Sequence, residues 1–452
     1  MLALRLTRGS HPAVQLRRLL VAVASAGTGF LLLCTLGYAM GHPDSPAAAA
    51  LRLAWCATPL AATVHFAVAV ARTDPATKPR PGLSAIGLGP GRLMAISATT
   101  TALACTLGSM LALLFFLHLR GDLTGMPFDG AAAEFLASDT PLPLPAALTL
   151  LAIVPVTASV SVALTLRPKD TSPKSAPRSY GRFGAYGRSG TRETFGTYGR
   201  FGAHLRTGGR KAEVEETPAP APEPAADAEP TATVTVTGPV DLDPTRPPTP
   251  REVPKGLPWG VAVLAAGLAV EAYANRTADT DGLSMPGGHA GGPAGVLAGW
   301  VLTALGLALA GPGLTHLCGR LLQAVRPGAL RLLAGRVLME EATRIGRPLG
   351  VVCAVASGAY AMTALYDTDA AVGPLTTLGT LLVTGCTVAT LLTAAVEARQ
   401  ARADTTAALV RLGAPATVLR SAAALRAGAL LALFVPLTVV IAELAALPLA
   451  HR

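Results

Sequence analysis

Residues 144–166 read LPAALTLLAIVPVTASVSVALTL, a run of 23 residues without one charged side chain. A helix of that length measures about 35 Å, and the hydrocarbon core of a bilayer is about 30 Å thick. An amphipathic helix of a soluble protein would show a polar face, and this run shows none. It therefore predicts a transmembrane helix.

Eight further apolar windows have a similar length. They are residues 19–40, 51–71, 93–117, 257–274, 295–314, 348–366, 374–396 and 425–449. Pro436 lies near the middle of the last window, which is too short to fold back as two spans and is interpreted as one helix with a kink allowed. The sequence thus predicts an all-α, polytopic integral membrane protein of about nine transmembrane helices.

The composition of the whole chain agrees with this fold class. Hydrophobic residues make up 51% of its 452 residues, charged residues make up 14%, and the mean hydropathy is +0.47. Aromatic residues are only 4%, so the apolar mass is mostly Ala, Leu and Val, which allow helix backbones to approach closely. The six cysteines show no CxxC spacing and are interpreted as small hydrophobic residues.

The basic residues predict the orientation. With the N-terminus in the cytoplasm, 33 of the 37 Lys and Arg residues lie on the cytoplasmic side, and only Arg52, Arg120, Arg276 and Arg452 lie outside. The first apolar window is longer than the core of a signal peptide and is interpreted as an uncleaved span. We therefore expect a multi-pass protein of the cell (plasma) membrane whose net charge of +10 reflects topology and requires no nucleic acid partner.

A long polar segment interrupts the apolar windows. Residues 167–255 are rich in Pro, Gly, Ser, Thr and charge, and such a composition cannot bury enough surface to offset its ordering entropy. Within it, YGRFGAYGR at 180–188 is echoed by YGRFGA at 198–203. We interpret the segment as a disordered cytoplasmic linker, serving as a tether, as a contact for anionic lipid or, as the weakest alternative, as a nucleic acid contact.

These features give a domain organisation. Residues 1–166 form an N-terminal membrane half of four helices, 167–256 the linker, and 257–314 a central helix pair. Residues 315–346 form a cytoplasmic amphipathic connection, and 347–452 a C-terminal membrane half of three helices.

Two cytoplasmic connections carry a similar motif. LSAIGLGP at residues 83–90 and LVRLGAP at 409–415 both fit the pattern L-x-x-[IL]-G-[LA], and each precedes a span that returns outward. Matching motifs at equivalent places indicate an internal duplication, with two pseudo-repeated halves. The candidate contact residues are Leu83, Ile86, Gly87, Leu409, Arg411, Leu412 and Gly413.

The second motif predicts a short helix that Gly413 and Pro415 end, with Leu409 and Leu412 three residues apart on one face. Such a helix, parallel to the membrane, can press a small apolar face into a groove on a cytoplasmic partner. It can equally be an amphipathic loop that packs on lipid headgroups.

The segment EARQARADTTAALVRLGAPATVLR at 397–420 resembles the charged segment between the second and third repeat helices of FtsX-like (MacB-type) ABC transporter permeases. Residues 4–20 and 331–347 are similar to the elbows that precede the first helix of each repeat in that family. The resemblance implies that residues 397–420 couple the membrane helices to a separate ABC ATPase subunit. It also implies a divergent member, because the connections 41–50 and 367–373 are too short for the family's large extracellular domain and a tenth helix is absent.

Enzymatic motifs are missing from the sequence. It contains no G-x-x-x-x-G-K-[ST] loop to hold phosphates, no H-E-x-x-H pair for a metal and no G-x-S-x-G nucleophile turn. We therefore expect no catalytic activity, no cofactor and no metal, with ATP bound by a partner subunit. The expected function is a permease-like subunit that supports export or transmembrane mechanotransmission; the alternative is a non-transporting scaffold or sensor with the same fold.

Polar residues inside predicted spans are candidates for a functional role. His65 is interpreted as a hydrogen-bonding residue between helices or, alternatively, as a proton relay. Glu443 and Glu271 lie near the outer ends of their spans and are interpreted as interfacial.

Overall fold

The computed structural model describes residues 12–74, 90–123, 129–167, 254, 256–277, 294–324, 328–365 and 373–450. Within these residues the chain is helical and contains no β-strand, which confirms the all-α class. The helices, numbered in chain order, are α1 Pro12–Gly41, α2 Pro46–Trp55, α3 Ala57–Thr73, α4 Pro90–Arg120, α5 Leu144–Leu166, α6 Gly256–Thr277, α7 Ala294–Gln323, α8 Ala329–Leu365, α9 Pro374–Ala401, α10 Ala403–Arg411 and α11 Ala416–Ala450.

Eight segments in the described part of the chain are long and apolar enough to cross a bilayer. They comprise α1, α4, α5, α6, α7, α9 and α11, together with Pro46–Thr73, which combines α2 and α3 around a break at Cys56. A multi-pass membrane protein is therefore the architecture. Residues 348–365 of the remaining predicted window, 348–366, form the second part of α8, a 37-residue helix whose first part is charged.

The helices of the first half pack around a shared core. The helix α1 contacts α3, α4 and α5, and buried polar groups join them: the Ser25 hydroxyl donates to the Cys105 carbonyl at 2.8 Å, and the Ser109 hydroxyl donates to the Leu151 carbonyl at 3.2 Å. Gly108 of α4 lies so close to the α1 backbone that a Cβ there would collide with the Ala22 carbonyl. Small residues thus permit the close packing that membrane helices require.

In the second half, α7 lies between α6 and α8, and α8 also packs on α11. The crossing of α7 and α8 depends on small residues, because a Cβ at Gly346 would lie 2.5 Å from the Cα of Pro312. The helix α11 is continuous from residue 416 to 450, which confirms a single helix for the last apolar window.

The helix α9 joins the two halves. It packs against α3 and α1 of the first half and against α8 of the second. At the contact, the hydroxyl of Thr63 lies 3.9 Å from the thiol of Cys386, and Thr63 also pairs with Thr28 at 2.9 Å. Helices distant in sequence therefore share one core. All six cysteines are buried, in agreement with their interpretation as hydrophobic residues.

Two predicted features cannot be compared with the structure. Residues 168–253 of the linker and residues 83–89 of the first motif, with Leu83, Ile86 and Gly87, lie outside the described residues.

Candidate coupling surface

The second motif forms the end of a short helix. The backbone N–H of Gly413 donates to the Val410 carbonyl, and that of Ala414 donates to the Leu409 carbonyl, both at 3.0 Å. Gly413 has φ +88°, so these bonds form a Schellman motif with Gly413 in the left-handed position. The prediction that Gly413 ends the helix is confirmed, and the turn has a defined geometry that can present neighbouring side chains.

The apolar side chains of this turn face away from the protein. Leu412 is 84% exposed and Val410 is 55% exposed, whereas Leu409 is half-buried. Leu409 and Leu412 therefore differ in exposure, and Val410, which the sequence did not single out, adds to the exposed apolar surface. Arg411, between Val410 and Leu412 in the chain, is exposed as well. We call Val410, Arg411, Leu412 and Gly413 the α10 turn.

An ion pair ties the α10 turn to the membrane helices. Arg402, between α9 and α10, places its Nε 2.7 Å from Oε1 of Glu341 on α8, and the same Nε donates to the Ala398 carbonyl at 3.1 Å. Glu341 is buried, and burial raises its pKa, although the guanidinium groups of Arg402, Arg426 and Arg344 act in the opposite direction. The ionised form of Glu341 is therefore stabilised by these three arginines.

A second, more exposed pair lies on the same helices. Nε of Arg344 on α8 is 3.9 Å from Oε1 of Glu397 on α9, and both side chains are part-exposed. Arg72 of α3 lies within electrostatic range of Glu397 and of Arg347. The charged ends of α3, α8 and α9 therefore meet at the predicted cytoplasmic side.

The first half contains a similar tie. Arg18 of α1 forms an ion pair with Asp74, the residue that follows α3, and Arg17 donates to the Thr73 hydroxyl at 3.3 Å. Asp74 is buried, and the pair borders a small cleft that Ser97, Thr100 and Thr101 of α4 also line. The Arg18–Asp74 pair joins α1 to the residue after α3, as the Glu341–Arg402 pair joins α8 to the residue after α9.

The two polar residues predicted inside the spans lie apart. His65 is half-buried on α3, in electrostatic range of Arg72 and Arg347. Glu443 is exposed on α11 and accepts a hydrogen bond from the Tyr360 hydroxyl at 2.8 Å. His65 therefore belongs to the charged side of the bundle, and Glu443 belongs to the opposite end.

Glu271 has a partner that its interpretation as an interfacial residue did not include. It is fully buried between α6 and α7, and its Oε1 accepts a hydrogen bond from Nε1 of Trp300 at 2.7 Å. Hydropathy cannot reveal this burial, because it results from the crossing of two helices.

Among the described residues, no group of three His, Cys, Asp or Glu side chains lies close enough together to hold a metal ion. Comparison with family models, curated proteins and solved structures found no match to this chain. The functional argument therefore rests on the α10 turn and its ties to the membrane helices.

Proposed function

We propose that the chain is a permease-like membrane subunit of an ABC transport system, which couples ATP hydrolysis on a separate ATPase subunit to export or to transmembrane mechanotransmission. The observation that carries this proposal is the α10 turn, whose apolar side chains are exposed at a helix end. Two backbone hydrogen bonds cap this helix end, and the Arg402–Glu341 ion pair connects it to α8. The proposed orientation places this turn in the cytoplasm.

The chemistry of the turn suits a protein groove. Leu412 and Val410 supply apolar contacts, and the exposed Arg411 between them supplies positive charge. A partner that matches this surface has an apolar groove with acidic residues at its edge, since complementary charge steers association and fixes register. An ATPase subunit with such a groove would dock here.

The ion pair provides a route for motion into the membrane. A displacement of α10 acts on Arg402, and Arg402 acts on the buried Glu341 of α8. Since α8 packs on α7 and α11, three helices would respond together. We include the second part of α8 as the ninth span.

The packing supports the proposed duplication. In the first half α1 packs on α3 and α4, and in the second half α8 packs on α9 and α11. The Arg18–Asp74 and Glu341–Arg402 pairs occupy corresponding places with their charges exchanged. By this correspondence the motif with Leu83, Ile86 and Gly87 would be a second contact for the ATPase.

A substitution at the turn tests the proposal. Tagged protein is purified from native membranes in mild detergent, and co-purifying proteins are identified by mass spectrometry and assayed for ATPase activity. We expect a stoichiometric ATPase with the wild-type chain and its loss with Leu412→Asp. Ala407→Asp, which adds the same charge at another exposed position of α10, is the matched control and should retain the ATPase.

The alternative is a scaffold or sensor that does not transport. The short connection between α1 and α2, residues 42–45, favours it, because it leaves no room for an extracellular domain that captures substrate. Repeated recovery of the chain without any ATPase would support this alternative and overturn the coupling proposal.

A further inference from the structure

The hairpin of α6 and α7 encloses a carboxyl group that the coupling proposal does not use. Glu271 has no exposed surface, and it lies within the apolar segment Gly256–Ala274. Its Oε1 accepts the hydrogen bond from Trp300, but its Oε2 is buried without a hydrogen-bond partner among the described residues. One oxygen of this carboxyl is therefore unsatisfied.

The helices α6 and α7 approach each other closely beside Glu271. A Cβ at Gly299 would lie 2.8 Å from the Cβ of Glu271, and a Cβ at Gly267 would lie 2.5 Å from both the backbone nitrogen and the hydroxyl of Thr303. The two helices are thus in backbone contact at this crossing. The Thr303 hydroxyl is also buried and, within the described part of the chain, has no hydrogen-bond partner.

No charged group on the described helices that pack against Glu271 compensates it. On α7 the titratable residues His316, Cys318 and Arg320 lie at the far end, His316 being 16 residues, or about 24 Å, from Trp300. On α11, which also contacts α6, Arg420 and Arg426 lie at the predicted cytoplasmic end, and Glu443 is hydrogen-bonded to Tyr360. The other titratable residues near Glu271 on α6 itself are Tyr273 and Arg276, and both side chains are exposed.

These observations favour the neutral form of the carboxyl. An ionised carboxylate buried in an apolar segment needs a counter-charge or several donors, and Glu271 has one donor among the described residues. A neutral acid keeps the bond from Trp300 on Oε1 and becomes a donor through Oε2.

We propose that Glu271 is a proton-binding site: it holds a proton on Oε2 while α6 and α7 are closed, and it releases that proton to water only when the crossing opens. The O–H bond of the acid breaks, the proton passes to water or buffer base, and the carboxylate left behind requires hydration. Deprotonation and separation of the two helices are therefore linked. This site is independent of any ATPase partner.

Trp300 provides a reporter of the opening. The chain has three tryptophans, and the other two, Trp55 and Trp259, are 38% and 75% exposed, so that both can be replaced by Phe. The emission of Trp300 is then measured in lipid nanodiscs as the pH is raised, with and without Glu271→Gln. The amide oxygen that Glu271→Gln introduces accepts the same bond from Trp300, but the amide cannot ionise.

We expect the Trp300 emission to shift to longer wavelength with rising pH when Glu271 is present and to stay constant in Glu271→Gln. A shift of equal size in both chains, or no shift in either, would overturn the proposal.

Infrared spectroscopy of the chain with all its tryptophans gives a second test that does not need the Phe substitutions. The carbonyl stretch of a neutral carboxylic acid should be present with Glu271, absent in Glu271→Gln, and should disappear at the same pH as the emission shift. A spectrum in which Glu271→Gln removes no neutral-acid band overturns the proposal. A band that persists while the emission never changes identifies a fixed structural acid and overturns it too.

Discussion

Arg402 and Glu341 lie 2.7 Å apart and join the start of α10 to the interior of α8. The side chain of Glu341 is 8% exposed and that of Arg402 is 29% exposed, so the carboxylate is the more deeply buried partner. Because a buried charge is costly without its partner, the position of α10 depends on this pair. The α10 turn is therefore attached to the membrane helices by more than the backbone of α9.

Replacing Arg402 by Gln should destabilise the protein, because it leaves the Glu341 charge buried and unpaired. We expect the free energy of unfolding to fall by about 3 kcal/mol, and the further change Glu341→Gln to restore much of the loss. Thermal unfolding in detergent measures both. Arg344→Gln is the control: it breaks the more exposed pair with Glu397 and should cost less than about 1 kcal/mol. Equal losses for the two arginines would contradict the assigned burial.

The stability of the protein should depend on pH through Glu341. Burial raises the pKa of Glu341, so the folded chain holds this proton more tightly than the unfolded chain. The contribution of Glu341 to stability is therefore present at low pH and is lost as the pH rises from about 4.3, the ordinary value for Glu, through the raised value. As the pH rises over this range, the Tm of the wild-type chain should fall relative to the Tm of Glu341→Gln. Parallel Tm curves would contradict the prediction.

Gly413 should resist substitution, because its φ of +88° is unfavourable for a residue with a Cβ. Gly413→Ala should lower stability by about 1 to 2 kcal/mol and weaken the proposed ATPase association. Gly428→Ala is a matched control, since a Cβ at Gly428 in α11 would meet nothing within 4 Å and Ala favours the helix. Thermal unfolding and co-purification of both variants decide the prediction, which fails when Gly413→Ala behaves as Gly428→Ala does.

The orientation can be checked with single introduced cysteines. Asp44 lies in the connection between α1 and α2 and is exposed, and Ala407 is exposed on α10, whereas all six native cysteines are buried. In intact cells a membrane-impermeant thiol reagent should label Asp44→Cys and should label Ala407→Cys only after lysis. Labelling in the reverse order would show the opposite orientation, and the α10 turn would then be unable to meet a cytoplasmic ATPase.

Local sequence patterns were sufficient for the helices and for the end of α10. The run at 144–166 became α5 with the same bounds, and Gly413 ended the short helix through a left-handed residue, as the motif predicted. They were insufficient where a helix changes its character along its length. Residues 348–365 of one apolar window continue the charged residues before them as the single helix α8.

The candidate site was predictable only in part. Arg411, Leu412 and Gly413 were named from the motif, but nothing in the sequence indicated that Arg402 pairs with Glu341, 61 positions earlier. The burial of Glu271 was not predictable from its place near the end of a span, because it depends on Gly299 on α7, which allows the partner helix to cover it.

The sequence by itself determined that the chain is helical and spans a membrane, because hydropathy and helix-ending residues act within a window of some 20 residues. It also predicts one orientation from the distribution of its basic residues. Only the tertiary structure decided that α3 meets α9, that Glu341 is buried beside Arg402 and that Glu271 lies sealed beside Trp300. The physical reason is that burial and pairing depend on which distant helix crosses at a given residue, and that crossing results from packing summed over the whole bundle.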